Sequence, residues 1–191
     1  DTDKVIRSLT TRGATHVAVS PKGKDVAFIL NGDVYVTTID FSTTKQITCT
    51  PERERCVDFR ADGRAVVYDS ERGGIWSIYE SEIVNDKEAV MTYCTELKER
   101  RLTDGVTTSF QPQYSPDGKK VAYFQNREAI CIVDVKSGKM HTAMDAKYTY
   151  SYSDGDQYFT WSPDGKWLLA NYMGNGGWNN VDVALIDAEG K

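Results

Sequence analysis

Apolar positions come in short runs that are never long enough for an amphipathic helix. His16-Val-Ala-Val19, Val26-Ala-Phe-Ile-Leu30 and Val34-Tyr-Val-Thr-Thr-Ile39 open the series. Val66-Val-Tyr68, Val121-Ala-Tyr-Phe124, Ile130-Cys-Ile-Val133 and Leu168-Leu-Ala170 continue it. The runs are rich in β-branched and aromatic residues and are bounded by Gly, Asn, Asp and Pro, which predicts strands and argues against a helical fold. One phrase between strands recurs four times. Tyr114-Ser-Pro-Asp-Gly-Lys119 and Trp161-Ser-Pro-Asp-Gly-Lys166 are clean copies; Val19-Ser-Pro-Lys-Gly-Lys24 and Phe59-Arg-Ala-Asp-Gly-Arg64 are worn ones. Pro presets φ at the second place of a type I turn and Gly takes the left-handed place, so each copy predicts a β-hairpin.

The strands behind each hairpin recur as well. In the first unit Asn31-Gly32 predicts a type I′ turn into the third strand, and residues 45–49 make the fourth. The second unit has a third strand at 74–79, then a charged insertion over 80–99 with room for a helical turn, then Arg100-Arg-Leu102-Thr103. The turn glycines Gly23, Gly63, Gly118 and Gly165 are 40, 55 and 47 residues apart. Four-stranded antiparallel units at such a period predict an all-β protein, a β-propeller with one unit per blade. The expected blades cover about 14–50, 56–104, 110–146 and 157–191 in a single module. Residues 1–13, with Ile6-Arg-Ser-Leu-Thr10, supply the last strand of a preceding or closing blade. Four blades could close on themselves; the abrupt ends favour four consecutive blades of a larger ring.

The chain has 191 residues and a net charge of −5, against the basic surface that nucleic-acid binding requires. No apolar run reaches the roughly 20 residues of a membrane-spanning helix, so no membrane insertion is expected. Cys49, Cys56, Cys94 and Cys131 lack the spacing of a zinc site. Cys131, in an apolar run, reads as a buried thiol, and a Cys49–Cys56 disulfide is open in an oxidising compartment.

Catalytic chemistry is poorly represented. There are two histidines, His16 and His141, without an identifiable nucleophile or carboxylate beside them, and no nucleophile-elbow serine motif. Asp154-Gly-Asp156 begins like a calcium loop but lacks the later ligands, so turn chemistry accounts for it better. Gly174-Asn-Gly-Gly177 lacks the Lys-Ser/Thr of a phosphate loop. No cofactor, no metal and no catalytic residue is expected in this chain.

Propeller geometry gives a direction for binding. The Ser-Pro-Asp-Gly turns share one face; the second-to-third-strand loops and the entries to each first strand share the other. The second face carries Tyr148, Tyr150, Tyr152, Asp154, Asp156 and Tyr158, with Trp178 on a neighbouring loop. Aromatics beside carboxylates suit a recognition surface, whereas tyrosines packing between blades would explain the same pattern structurally. The loop Glu52-Arg-Glu-Arg55 reads as solvated mixed charge.

Tyr114-Ser-Pro-Asp-Gly-Lys-Lys-Val-Ala-Tyr123 and Arg101-Leu-Thr103 resemble the propeller repeat shared by TolB and the tricorn proteases, without the Gly-His and Trp-Asp pairs of WD repeats. The runs 11–24, Thr44-Lys-Gln-Ile-Thr48 and Tyr150-Ser-Tyr-Ser-Asp-Gly-Asp156 are similar to the propeller region of bacterial tricorn-like serine proteases. The second repeat departs, with Arg60-Ala61 in place of Ser-Pro. The resemblance implies a non-catalytic segment of a secreted or periplasmic protease. Such a segment would guide or bind peptide or protein substrate and support assembly with the remaining domains of the parent protein, a serine peptidase. A TolB-like protein-interaction scaffold, or a propeller that binds a small ligand or sugar, is the alternative.

Overall fold

A computed structural model describes residues 10–173 and 181–190. The strands form four antiparallel sheets, each a meander in sequence order. Blade 1 holds β1 (Thr15–Val19), β2 (Asp25–Leu30), β3 (Asp33–Thr38) and β4 (Thr44–Gln46). Blade 2 holds β5 (Glu54–Phe59), β6 (Ala65–Arg72), β7 (Ile75–Ile83) and β8 (Leu97–Arg101). Blade 3 holds β9 (Ser109–Tyr114), β10 (Lys120–Gln125), β11 (Ala129–Asp134) and β12 (Met140–Met144). Blade 4 holds β13 (Phe159–Trp161), β14 (Trp167–Tyr172) and β15 (Asp182–Asp187). The expected strand at 6–10, the Gly174–Gly177 loop and Trp178 lie outside the described residues, apart from Thr10, which is not in a strand.

The recurring phrase is a self-contained hydrogen-bond unit. Gly118 N–H donates to Ser115 C=O at 2.8 Å and Gly165 N–H to Ser162 C=O at 2.9 Å. Ser115 Oγ donates to Asp117 Oδ1 at 2.7 Å and accepts from Lys120 N–H at 3.0 Å. Ser162 repeats both bonds with Asp164 and Trp167. The glycine ends each turn left-handed, at φ 70° and 68° in these two copies. In the second copy Arg60 replaces the serine and holds Asp62 through Nε at 3.0 Å instead. Asn31 and Gly32, at φ 54° and 91°, make the expected type I′ turn.

Period-2 alternation assigns each strand's two faces to two neighbours. Val66 and Tyr68 pack with Ile29, Val34 and Val36 of blade 1. Between them Val67 points the other way, to Tyr114, Val121, Tyr123 and Cys131 of blade 3. Ala122, Phe124, Ile130 and Ile132 meet Phe159, Leu168 and Ala170 of blade 4. Burying each such large aliphatic side chain is worth about 1.5–3 kcal/mol, so the cores between blades hold the stack together.

Two details differ from expectation. β7 runs on to Ile83, through Glu80 and Glu82, so the insertion is shorter than its charge suggested. It contains one 3-10 turn, Met91–Tyr93, docked on blade 1: Asp25 accepts from Met91 N–H at 3.2 Å and from the Thr92 hydroxyl. β8 then starts at Leu97, ahead of the expected Arg100. Cys131 is fully buried, as its apolar run predicts, and all four cysteines are free thiols, so the Cys49–Cys56 pairing that the sequence left open is not formed.

Candidate functional site

The first strands of blades 1 to 3 carry the same irregularity. Each has a register shift against its partner, and each puts one non-glycine residue into the left-handed region: His16, Cys56 and Gln111, all at φ 51°. The three are equivalent, each four residues before the first residue of the hairpin turn; Tyr158 holds that place in blade 4. Left-handed backbone costs a branched or bulky residue of order 1–3 kcal/mol, and a bulge re-aims the side chain it carries. Here the four equivalent residues converge. His16, Cys56, Gln111 and Tyr158 all line a cavity of about 300 Å³, and all four also border a second one of about 490 Å³ that reaches Ala18, Asp58 and Gln113.

Arginines dominate the polar side of the mouth. Arg55 lies over Trp76, 3.7 Å from the ring centroid, a cation–π arrangement that fixes the guanidinium. Its Nη2 reaches Asp69 at 3.4 Å and its Nη1 reaches Asp154 at 3.1 Å. Arg127, left-handed at φ 69° in the β10–β11 hairpin, brings Nε to within 2.5 Å of the other Asp154 oxygen. Asp69 is fully buried, and burial pushes its carboxyl up to about 6 against the opposing pull of Arg55. Asp69 Oδ1 and Arg55 Nε are buried without hydrogen-bond partners. Partial desolvation, then the Arg55 charge, lowers the His16 imidazole from its ordinary value. Burial and the Asp69 charge hold the Cys56 thiol far above its ordinary value, so it is not a thiolate nucleophile.

The candidate residues divide. Asp154, Asp156 and Tyr158 line the mouth. Asp156 organises its own loop, accepting from the Ser151 hydroxyl at 2.8 Å and from the amides of Tyr152 and Ser153 at 2.5 and 2.9 Å. The turn reading of Asp154-Gly-Asp156 thus describes the geometry, with Gly155 at φ 85°. Tyr148 packs on Tyr172, ring centroids 5.5 Å apart, away from the mouth. Tyr150 and Tyr152 are exposed and line neither of these two cavities. Trp178 lies outside the described residues. Among the described residues no group of three or more His, Cys, Asp or Glu is placed to hold a metal ion.

Sequence reasoning missed Arg55, Gln111 and Arg127. The loop 52–55 is not simply solvated: Glu54 is 1% exposed, inside a cage of Thr48, Thr50 and Ser70 hydroxyls at 3.0, 2.9 and 2.8 Å. The available signal was the repeat itself. Counting four residues back from each turn would have placed Cys56 and Gln111 beside His16 and Tyr158.

Antiparallel meanders stacked face to face, with their first strands lining a shared channel, define a β-propeller. The chain belongs to the family of the TolB beta propeller domain, whose profile matches residues 4–191. It is similar in structure to a protein assigned as a TolB from Agrobacterium tumefaciens, with TM-score 0.68 and 22% identity over 93% of this chain. The TolB of Acinetobacter baumannii follows, with TM-score 0.65 and 21% identity over 92%. An oligogalacturonate lyase in complex with manganese matches at TM-score 0.62 and 17% identity over 86%. At these identities the likeness is one of fold. The chain spans 62%, 41% and 45% of those three proteins. No curated protein matches it.

Proposed function

We propose that this chain is a non-catalytic recognition propeller, a TolB-like scaffold that takes a peptide or a segment of a partner protein at the channel mouth. One observation carries the reading. Of the seven non-glycine residues held in the left-handed region among the described residues, four line the mouth cavity: His16, Cys56, Gln111 and Arg127. Strain concentrated at one concavity marks a place where side-chain direction matters more than local stability. Tyr158, 65% exposed, supplies the aromatic surface that peptide recognition favours. Selection of binders from a random peptide library tests this. Gln111→Ala and Tyr158→Ala should each weaken the selected peptides at least about tenfold, the loss expected of a contact residue; unchanged affinity in both would refute it.

The finer reading rests on the motif resemblance. It makes the chain the propeller segment of a secreted or periplasmic tricorn-like serine protease, admitting peptides to hydrolytic residues that lie in other domains. Its test is the reading frame: a serine protease domain should follow downstream, and its absence would leave the scaffold reading alone. The chain itself should not cleave peptides; hydrolysis blocked by a serine-directed inhibitor would contradict both readings.

A further inference from the structure

We propose that the Arg55–Asp154–Arg127 clasp is an internal stand-in for a ligand carboxylate, and that the mouth binds acidic peptides by exchanging Asp154 for a carboxylate of the peptide. This rests on the recognition reading above and adds the chemistry of what is recognised. Two guanidiniums from different blades converge on one carboxylate, which spans them with both oxygens, at 3.1 Å and 2.5 Å. Such charge-assisted pairs select carboxylates by geometry.

The two sides of the clasp differ in how firmly they are held. Arg55 is fixed from behind, by the Trp76 ring and by Asp69, whose carboxylate is fully buried and keeps one oxygen unpartnered. Among the described residues the Asp154 carboxylate is held by the two arginines alone, and it sits at 36% side-chain exposure on a loop whose fold depends on Asp156. Releasing Asp154 therefore leaves the loop's own hydrogen bonds intact. It also leaves two guanidiniums facing the cavity with only the buried Asp69 near one of them. An incoming carboxylate restores the same pair of contacts, while Gln111 and Tyr158 stand beside it to meet the rest of the peptide.

The probe is a fluorescein-labelled octapeptide of alternating glutamate and alanine, with a free or an amidated C-terminus, beside its glutamine counterpart. Anisotropy is read on the full chain at low salt. Asp154→Asn and Asp154→Ser should each tighten the acidic peptide about tenfold, the gain expected when an internal competitor occupies about nine-tenths of the molecules. Arg127→Gln should weaken it about tenfold in either background, and the glutamine peptide should gain nothing. A gain that vanishes on amidation assigns the carboxylate to the peptide terminus; a gain that survives assigns it to a side chain. Equal or weaker binding of the acidic peptide in both Asp154 variants overturns the exchange. If Tyr158→Ala still removes binding in that case, mouth recognition stands and only the exchange falls; if it does not, both fall.

Discussion

Replacing Arg55 by methionine keeps an unbranched stem over Trp76 but strands Asp69, which is fully buried beside it. Removing one partner of a buried ion pair costs about 3–5 kcal/mol, and the lost cation–π contact adds about 1. Arg55 is 21% exposed and its bond to Asp69 is long, at 3.4 Å, so the lower end applies, about 3–4 kcal/mol in all. For a chain of this size that lowers the melting temperature by roughly 6–16 °C. The sign of the pH dependence makes the test specific. Asp69 titrates at about 6, raised from 3.8 mainly by burial. A carboxyl raised on folding contributes stability that is complete below its unfolded value and is lost as pH climbs through about 6; the two-unit shift corresponds to about 3 kcal/mol. Below that window Asp69 is neutral and barely needs Arg55; above it the carboxylate does. Thermal melts of wild type and Arg55→Met should therefore diverge little at pH 5 and fully at pH 8, and Asp69→Asn in the Arg55→Met background should recover most of the loss at pH 8. A penalty equal at both pH values, or below about 1 kcal/mol at pH 8, would refute the buried-pair account.

Asp58, which accepts from Tyr114 N–H of the next blade at 2.9 Å, is likewise pushed up to about 6 by burial. Asp58→Asn should flatten the fall in melting temperature between pH 4 and 7, and an unchanged slope would count against its burial. Glu80 is wholly buried between the Tyr114 hydroxyl at 2.6 Å and Arg100 Nε at 2.7 Å; Arg100 is 38% exposed and can rehydrate, so Glu80→Ala should cost about 1–3 kcal/mol in urea unfolding, mainly from the stranded Tyr114 hydroxyl. A Cβ at Gly118 would come within 2.7 Å of Arg60 Cγ, whereas one at Gly23 meets nothing. Both glycines are left-handed, so Gly23→Ala should cost about 1 kcal/mol and Gly118→Ala clearly more; equal costs would mean the turns of blades 2 and 3 do not abut.

The fold was legible because its signals are local. Ser-Pro-Asp-Gly and Asn31-Gly32 specify their turns through φ preferences and short-range hydrogen bonds, which need no knowledge of what lies across the sheet. What was missed depends on long-range partners. Glu80 and Glu82 read as part of a charged insertion, yet they sit in β7, where Arg60 and Arg100 meet them, at 2.5 Å for Arg60 to Glu82. Glu54 and Arg55 look like one charged loop, but strand alternation sends the first into a hydroxyl cage and the second onto Trp76, 21 residues further on. The tyrosine run had the opposite fault. It suggested one aromatic surface, but the 3-10 turn Ala146–Tyr148 packs Tyr148 on Tyr172, and the irregular loop that follows leaves Tyr150 and Tyr152 exposed outside the cavity. The mouth could be found only by aligning the four repeats on their turns.

Hydrogen exchange, with and without a selected peptide, tests most directly which face recognises a partner. The account predicts protection at 151–158 and at the starts of β5 and β9, with the first-hairpin turns at 60–63 and 115–118 unchanged. Protection confined to those turns, with the mouth unaffected, would contradict it.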